Sequence, residues 1–139
     1  MHLPGKIRLV KGAYQEPEER AMKRGEALDE RFLSLIEMAV SAQHPLSIAT
    51  HDQHLLQELE RRKWLAAPHV EVEMLYGVRP DLLKQTKQAG YQTRLYLPYG
   101  TEWYLYLCHR LAEYPPNIYQ ALADCVQPSR TEQPASDYF

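Results

Sequence analysis

Four short apolar segments of this sequence each end in polar or glycine-bearing residues that could do chemistry. The first group lies around Gly12, where a backbone can approach a ligand closely because no Cβ intervenes. It contains two cations, Arg8 and Lys11, and the aromatic Tyr14. A strand that ends in glycine beside concentrated charge is typical of the ligand-binding edge of an α/β sheet. The other three groups are Thr50-His51, Tyr76-Gly77 and Tyr99-Gly100. Polar turns that bind nothing are the alternative explanation.

The apolar segments that precede these groups are predicted to be strands, at residues 6–10, 46–50, 70–75 and 92–97. Helical periodicity follows each strand, in segments that start near residues 29, 53, 80 and 102. A short helix over residues 15–23, with Pro17 in its first turn, is also predicted. The fold class is therefore α/β, with four consecutive parallel strand–helix units. Such units form either half of an eight-stranded barrel or a small open sheet, and their carboxyl ends meet on one face.

The third predicted strand alternates apolar residues with two carboxylates, Glu71 and Glu73. Either one face of this strand is open to water, or one of the carboxylates is functional.

Composition excludes several classes of protein. The formal net charge of −2 gives no basic footprint for nucleic acid. Cys108 and Cys125 lack disulfide or zinc spacing, and no apolar signal segment occurs, so a cytoplasmic protein is expected. His51 and His54 lie one helical turn apart, but no further ligand cluster accompanies them, so no metal is expected. Nucleotide-binding loops and the serine hydrolase motif are absent.

Five ordered segments resemble one family, the proline dehydrogenases, and in particular the carboxyl-terminal half of the short monofunctional bacterial enzymes. They are residues 8–14 (RLVKGAY), 49–52 (ATHD), 73–77 (EMLYG), 96–100 (YLPYG) and 109–113 (HRLAE). The resemblance runs from about residue 6 to residue 123. It implies that residues 1–126 form the carboxyl-terminal half of a distorted (β/α) barrel of the TIM type. The remaining residues, 127–139, contain Pro, Ser and Gln, and this composition predicts a disordered tail.

The resemblance also implies a flavoprotein of proline catabolism that holds FAD without a covalent bond. It would oxidise L-proline to 1-pyrroline-5-carboxylate and pass the electrons to a membrane quinone, with peripheral membrane contact at most. By the same resemblance Arg8 lies against the flavin ring, where a cation stabilises developing negative charge. The implied FAD-contacting residues are Arg8, Lys11, Gly12, Ala13, Thr50 and His51.

The resemblance places the substrate between Leu75 and Tyr96, with Tyr14 near the edge of the pocket. The proline carboxylate is held by His109 and Arg110, and Glu113 steadies them. Spacing alone leaves open that Arg110 and Glu113 form a surface ion pair. The family normally has two arginines at the carboxylate site, and His109 replaces the first of them.

The chain starts at the strand that is fifth in the family barrel, so the lysine, aspartate and glutamine that the family places earlier have no counterpart here. A half-barrel exposes two strand edges and an interior face. We therefore expect self-association, a complementary amino-terminal half-barrel, or a fragment of a longer protein. A non-catalytic half-barrel that serves as a binding or assembly module is the alternative to an enzyme. An unrelated phosphate-binding barrel is disfavoured, because no glycine-rich phosphate loop is present.

Overall fold

The structure is a computed structural model, and it describes residues 5–11, 17, 19–23, 25–76, 78–97 and 99–101. The chain divides into two units, Met1–Tyr96 and Leu97–Phe139. Every helix and strand described below belongs to the first unit. Among these described helices, none is long and apolar enough to cross a lipid bilayer.

Four parallel strands form the sheet: β1 (Ile7–Val10), β2 (Leu46–Ala49), β3 (Val70–Leu75) and β4 (Thr93–Tyr96). Their order in the sheet, β1-β2-β3-β4, is their order in the chain. The predicted strands are confirmed, and each predicted end lies within one residue of the observed end. The described part of the chain therefore contains the four parallel strands of the predicted α/β fold and the helices between them.

Three described α-helices connect the strands: α1 (Glu26–Ser41), α2 (Gln53–Arg61) and α3 (Pro80–Gln88). The apolar periodicity of α1 buries Phe32, Ile36 and Ala39. Helix α2 begins after Asp52, whose side chain accepts a hydrogen bond from the Leu55 N–H. Helix α3 starts at a proline, as predicted, and the chain leaves it through Gly90 in the left-handed region, at φ 85°.

Two local features differ from the predictions. In place of the predicted short helix over 15–23, the described residues form a turn, in which the Arg20 and Ala21 N–H groups donate to the Pro17 carbonyl. A 3-10 helix at Trp64–Ala66 was not predicted. It is only three residues long, which is too short for apolar periodicity to reveal it. The predicted helix over 102–113 and the predicted tail at 127–139 lie outside the described residues.

The two faces of the sheet differ in chemistry. Right-handed crossovers with this strand order place successive helices on the same side of the sheet. That face carries the core residues, each at most 1% exposed: Leu46, Ile48, Val70, Val72 and Met74. Burial of each such side chain stabilises the fold by about 1.5–3 kcal/mol. The opposite face, which we call the polar face, carries Arg8, Ser47, Glu71, Glu73 and Arg94, with Leu75 and Tyr96 at the strand ends.

Candidate active site at the carboxyl end of the sheet

The polar face brings together three residues that the sequence assigned to a ligand site. Leu75 and Tyr96 are register partners at the carboxyl ends of β3 and β4, so their side chains lie side by side. The Arg8 guanidinium carbon lies 5.3 Å from the centre of the Tyr96 ring, which is within cation–π distance. Arg8 and Tyr96 come from β1 and β4, the strands at opposite edges of the described sheet, and the parallel fold is what makes them neighbours.

Arg8 is held by a buried carboxylate. Its Nε donates to Glu73 Oε1 at 2.7 Å, and its Nη2 lies 2.6 Å from the same oxygen. The Glu73 side chain is only 5% exposed, whereas the Arg8 side chain is 46% exposed. Ser47 Oγ donates to the second Glu73 oxygen, Oε2, at 3.2 Å. The carboxylate is thus fixed from two sides, while the guanidinium remains accessible to a ligand.

The second carboxylate of β3, Glu71, is held by a different pair of cations and shares Ser47 with Glu73. Glu71 accepts hydrogen bonds from Lys6 Nζ at 2.9 Å and from Arg94 Nε at 2.6 Å. Burial alone would raise the pKa of Glu71, but the hydrogen bonds from Lys6 and Arg94 lower it below its ordinary value. Both β3 carboxylates are therefore buried and paired, so the expectation that this face is open to water at these positions is wrong.

Lys11 lies just past β1 and is held by two carboxylates. Its Nζ forms ion pairs with Asp29, in the first turn of α1, and with Asp52 at 3.1 Å. Burial alone would lower the pKa of Lys11, but the hydrogen bonds to Asp29 and Asp52 raise it. Burial would likewise raise the pKa of Asp52, and hydrogen bonds from the Leu55 N–H and from Lys11 lower it instead. The ammonium group of Lys11 thus links the start of α1 to the start of α2.

Thr50 and His51 shape the turn between β2 and α2. The Asp52 N–H donates to Thr50 Oγ1 at 3.1 Å. The Leu75 N–H donates to His51 Nε2 at 2.8 Å. Strand β2 ends at Ala49, so no main-chain carbonyl of β2 accepts the Leu75 N–H. The His51 imidazole takes the place of that carbonyl as acceptor. Because Nε2 accepts this bond, the ring proton of the neutral imidazole lies on Nδ1.

Six of the predicted site residues lie outside the described residues: Gly12, Ala13, Tyr14, His109, Arg110 and Glu113. The structure describes the other six, which are Arg8, Lys11, Thr50, His51, Leu75 and Tyr96. In the described part of the chain, no group of three or more His, Cys, Asp or Glu side chains could hold a metal ion.

Four residues around the site were not assigned to it from the sequence. Glu73 holds Arg8 on the polar face, Ser47 holds the Glu73 carboxylate, and Asp29 and Asp52 hold Lys11. Glu73 had a usable signal, because a carboxylate inside a strand requires a partner when it is buried. Asp29, by contrast, is an ordinary first-turn residue of a helix, and nothing in its sequence context points to Lys11.

The arrangement suits a ligand that carries or develops negative charge. An accessible guanidinium lies against an aromatic ring at the carboxyl end of a parallel sheet, beside an apolar leucine. Ligands of parallel α/β folds bind at this end. A preorganised cation there stabilises negative charge that forms during a reaction.

Comparison with known proteins finds one family. The sequence model of the proline dehydrogenase family matches residues 1–117. A proline dehydrogenase of Deinococcus radiodurans is 39% identical over 114 residues, which cover 80% of this chain and 37% of the relative. Proline dehydrogenase 1 of Bacillus subtilis is 38% identical over 114 residues, covering 80% of this chain and 38% of the relative. Proline dehydrogenase 2 of the same organism is 39% identical over 115 residues, covering 81% and 38%. The chain thus spans less than two fifths of the length of these relatives.

Proposed function

This chain belongs to the proline dehydrogenase family, and on that basis we propose that it supplies the carboxyl-terminal strand–helix units of an FAD-dependent L-proline oxidase. The reaction converts L-proline to 1-pyrroline-5-carboxylate, with loss of a hydride from C5 and a proton from nitrogen. The observation that carries the proposal is the meeting of Arg8, Leu75 and Tyr96 at the carboxyl end of the polar face.

The described residues fit a flavin. FAD, when bound, accepts the hydride, and its ring then gains negative charge. Arg8 is suited to stabilise that charge, because its guanidinium is cationic at any physiological pH and its side chain is 46% exposed. Glu73 keeps the guanidinium at the strand end while leaving part of its surface open. Arg8 is thus the residue that we assign to the flavin ring.

The remaining cofactor contacts divide between main chain and side chains. The Lys11 ammonium is already held by Asp29 and Asp52, so we assign to FAD the main chain of Lys11 together with that of Gly12 and Ala13. We assign Thr50 and His51 to the parts of FAD beyond the ring. The described bonds of these two residues fix the turn after β2 that they share.

The substrate contacts combine an apolar wall with carboxylate recognition. Leu75 and Tyr96 wall the pocket, and Tyr14 borders it. Arg110 binds the proline carboxylate as a bidentate fork, His109 donates one weaker hydrogen bond, and Glu113 orients them. We propose a quinone as the acceptor of the electrons, and a cytoplasmic protein with at most peripheral contact at the inner face of the membrane.

The test uses the purified 139-residue chain, alone and mixed with the preceding segment of proline dehydrogenase 1 of Bacillus subtilis. In the mixture we expect the flavin's visible absorbance to remain with the protein after gel filtration, and an artificial dye to be reduced with L-proline. The chain alone, as an incomplete barrel, should be weakly active at most. D-proline and an Arg8→Met variant are the controls, and both should reduce the dye far more slowly. A colourless protein that is indifferent to proline in both preparations would contradict the proposal and favour the non-catalytic binding or assembly module.

A further inference from the structure

The ion pair between Arg8 and Glu73 differs from the other ion pair network of the polar face. Glu71 is shared by two cations, Lys6 and Arg94, as expected for a carboxylate that ties strands together. Glu73 instead contacts the Arg8 guanidinium twice, at Nε and Nη2, through one oxygen, Oε1. Its other oxygen is occupied by the Ser47 hydroxyl at 3.2 Å. The two carboxylates are therefore matched in strand and burial but differ in what they hold.

Glu73 and Tyr96 both contact the Arg8 guanidinium. Glu73 Oε1 binds it at Nε and Nη2, and the Tyr96 ring faces it at 5.3 Å. An arginine side chain has many rotamers, so a guanidinium without an anchor would occupy many positions. A cation stabilises charge in a reaction only when it is already oriented before the charge forms.

We propose that Glu73 is a positioning residue, which fixes the Arg8 guanidinium at the carboxyl end of the sheet for contact with the cofactor. Ser47 assists by fixing the carboxylate itself. The fixing of Arg8 can be measured without any cofactor, whereas its use by the flavin rests on the proposed function.

The first experiment follows the Arg8 side chain in the chain without cofactor. In NMR spectra of arginine-labelled protein, the Arg8 Nε–H signal is identified by its loss in Arg8→Lys. We expect Glu73→Ala to abolish the slow exchange of this proton with solvent, with at least a tenfold faster rate. Glu71→Ala is the matched control and should leave the signal in place. An Arg8 signal that is unchanged in Glu73→Ala would overturn the proposal. If Glu73→Ala does not fold, Glu73→Gln and Ser47→Ala give the same comparison with smaller changes.

The second experiment adds FAD and uses sulfite, which forms an anionic adduct with the oxidised flavin ring and so reports on the cation beside it. If Glu73 positions Arg8, Glu73→Ala should weaken sulfite binding about tenfold or more, and Glu71→Ala should not. If Glu73 only offsets the charge of Arg8, its removal would tighten sulfite binding, and that result would overturn the positioning role. Wild-type protein that binds no FAD, but shows the Glu73-dependent Arg8 signal, would contradict the proposed function and leave the fixing of Arg8 supported.

Discussion

At the scale of single residues, Asp52 serves two partners at once. One oxygen accepts the Leu55 N–H as the cap of α2, and the other accepts Lys11 Nζ at 3.1 Å. Its pKa is lowered, so the carboxylate stabilises the fold above the unfolded value of 3.8 and loses that contribution as the pH falls through the folded pKa. The raised pKa of Lys11 has the opposite sign, and its contribution is lost only as the pH rises above 10.5.

We expect Asp52→Asn to isolate the charge effect, because asparagine caps helices as well as aspartate does. The Asp52 side chain is 39% exposed, so solvent screening limits the loss of unfolding free energy to about 0.5–1 kcal/mol at neutral pH. The difference from wild type should shrink towards zero as the pH falls below 3.8 and through the folded pKa of Asp52. Urea unfolding across pH measures it, with Glu37→Gln, an exposed carboxylate of α1, as control. A difference that is constant with pH would contradict the charge explanation.

His51 contributes through the acceptor that it offers to the Leu75 N–H. Replacement by leucine retains much of the volume but leaves this half-buried donor without its partner. We expect His51→Leu to lower the free energy of unfolding by about 1–2 kcal/mol and to speed exchange of the Leu75 amide hydrogen. His54→Leu, on the exposed side of α2, is the control and should change neither quantity by much. Unchanged Leu75 exchange in His51→Leu would show that another acceptor replaces the imidazole.

We predict that His109 affects the affinity for substrate. An imidazole cannot form the bidentate fork that a guanidinium forms with a carboxylate, and the lost charge-assisted bond is worth about 1–3 kcal/mol. In a reconstituted barrel that oxidises proline, His109→Arg should therefore lower the apparent KM for L-proline roughly tenfold or more. The KM for an artificial electron acceptor is the internal control and should stay the same. An unchanged proline KM would remove His109 from the carboxylate site.

At the scale of elements, Glu71 joins the two edges of the described sheet. It lies in β3, and it bonds Lys6 just before β1 and Arg94 in β4. The carboxylate is 11% exposed, whereas the two cations are 40% and 55% exposed. Losing one cation leaves the carboxylate paired, while losing both leaves a buried charge without its partners.

Because Lys6 and Arg94 share Glu71, we predict that substitutions of these two cations have non-additive effects on the free energy of unfolding. Lys6→Ala and Arg94→Ala should each lower the free energy of unfolding only slightly, since both cations are partly solvated. The double variant should lower it by clearly more than the two single variants together, because Glu71 then loses both cations. Urea unfolding of the four proteins measures the coupling. The same cycle in a Glu71→Gln background should lose most of it, and additivity in the original background would argue against a shared carboxylate.

The sequence predicts the elements more fully than the contacts between them. Strand β3 is found at its predicted bounds, because the alternation of Val70, Val72 and Met74 with two carboxylates has the strand period. Helix α1 begins at Glu26, earlier than the apolar pattern suggests, because its first turn is polar and bonds to the Gly25 carbonyl. That Arg8 and Tyr96 share a site can be predicted from the sequence, because the parallel order of the strands brings their carboxyl ends to one face. Which cation pairs with Glu73 depends instead on side-chain rotamers and on strand register, and the composition of the sequence does not determine either.

At the scale of the whole molecule, β1 and β4 are edge strands within the part of the chain that the structure describes. The Ile7 N–H bonds towards β2, to the Pro45 carbonyl, so by alternation the Val10 N–H points away from β2. Arg8 and Lys11 place charge along this edge, which discourages pairing without preventing it. The polar face beside it also exposes Tyr96 by 40%.

We therefore expect the 139-residue chain on its own to form dimers or larger assemblies through these edges. Light scattering after size exclusion, over a range of concentrations, measures the mass. Val10→Pro should favour the monomer, because it removes an edge donor while sparing the ladder to β2, and Val10→Ala, which keeps the N–H, should not. Adding the preceding segment of proline dehydrogenase 1 of Bacillus subtilis should compete with self-association and yield a one-to-one complex. The reason is that the added segment and a second copy of the chain would bind the same edge. A monomer that stays folded and unfolds cooperatively at every concentration would show that the β1 edge is protected within the chain itself.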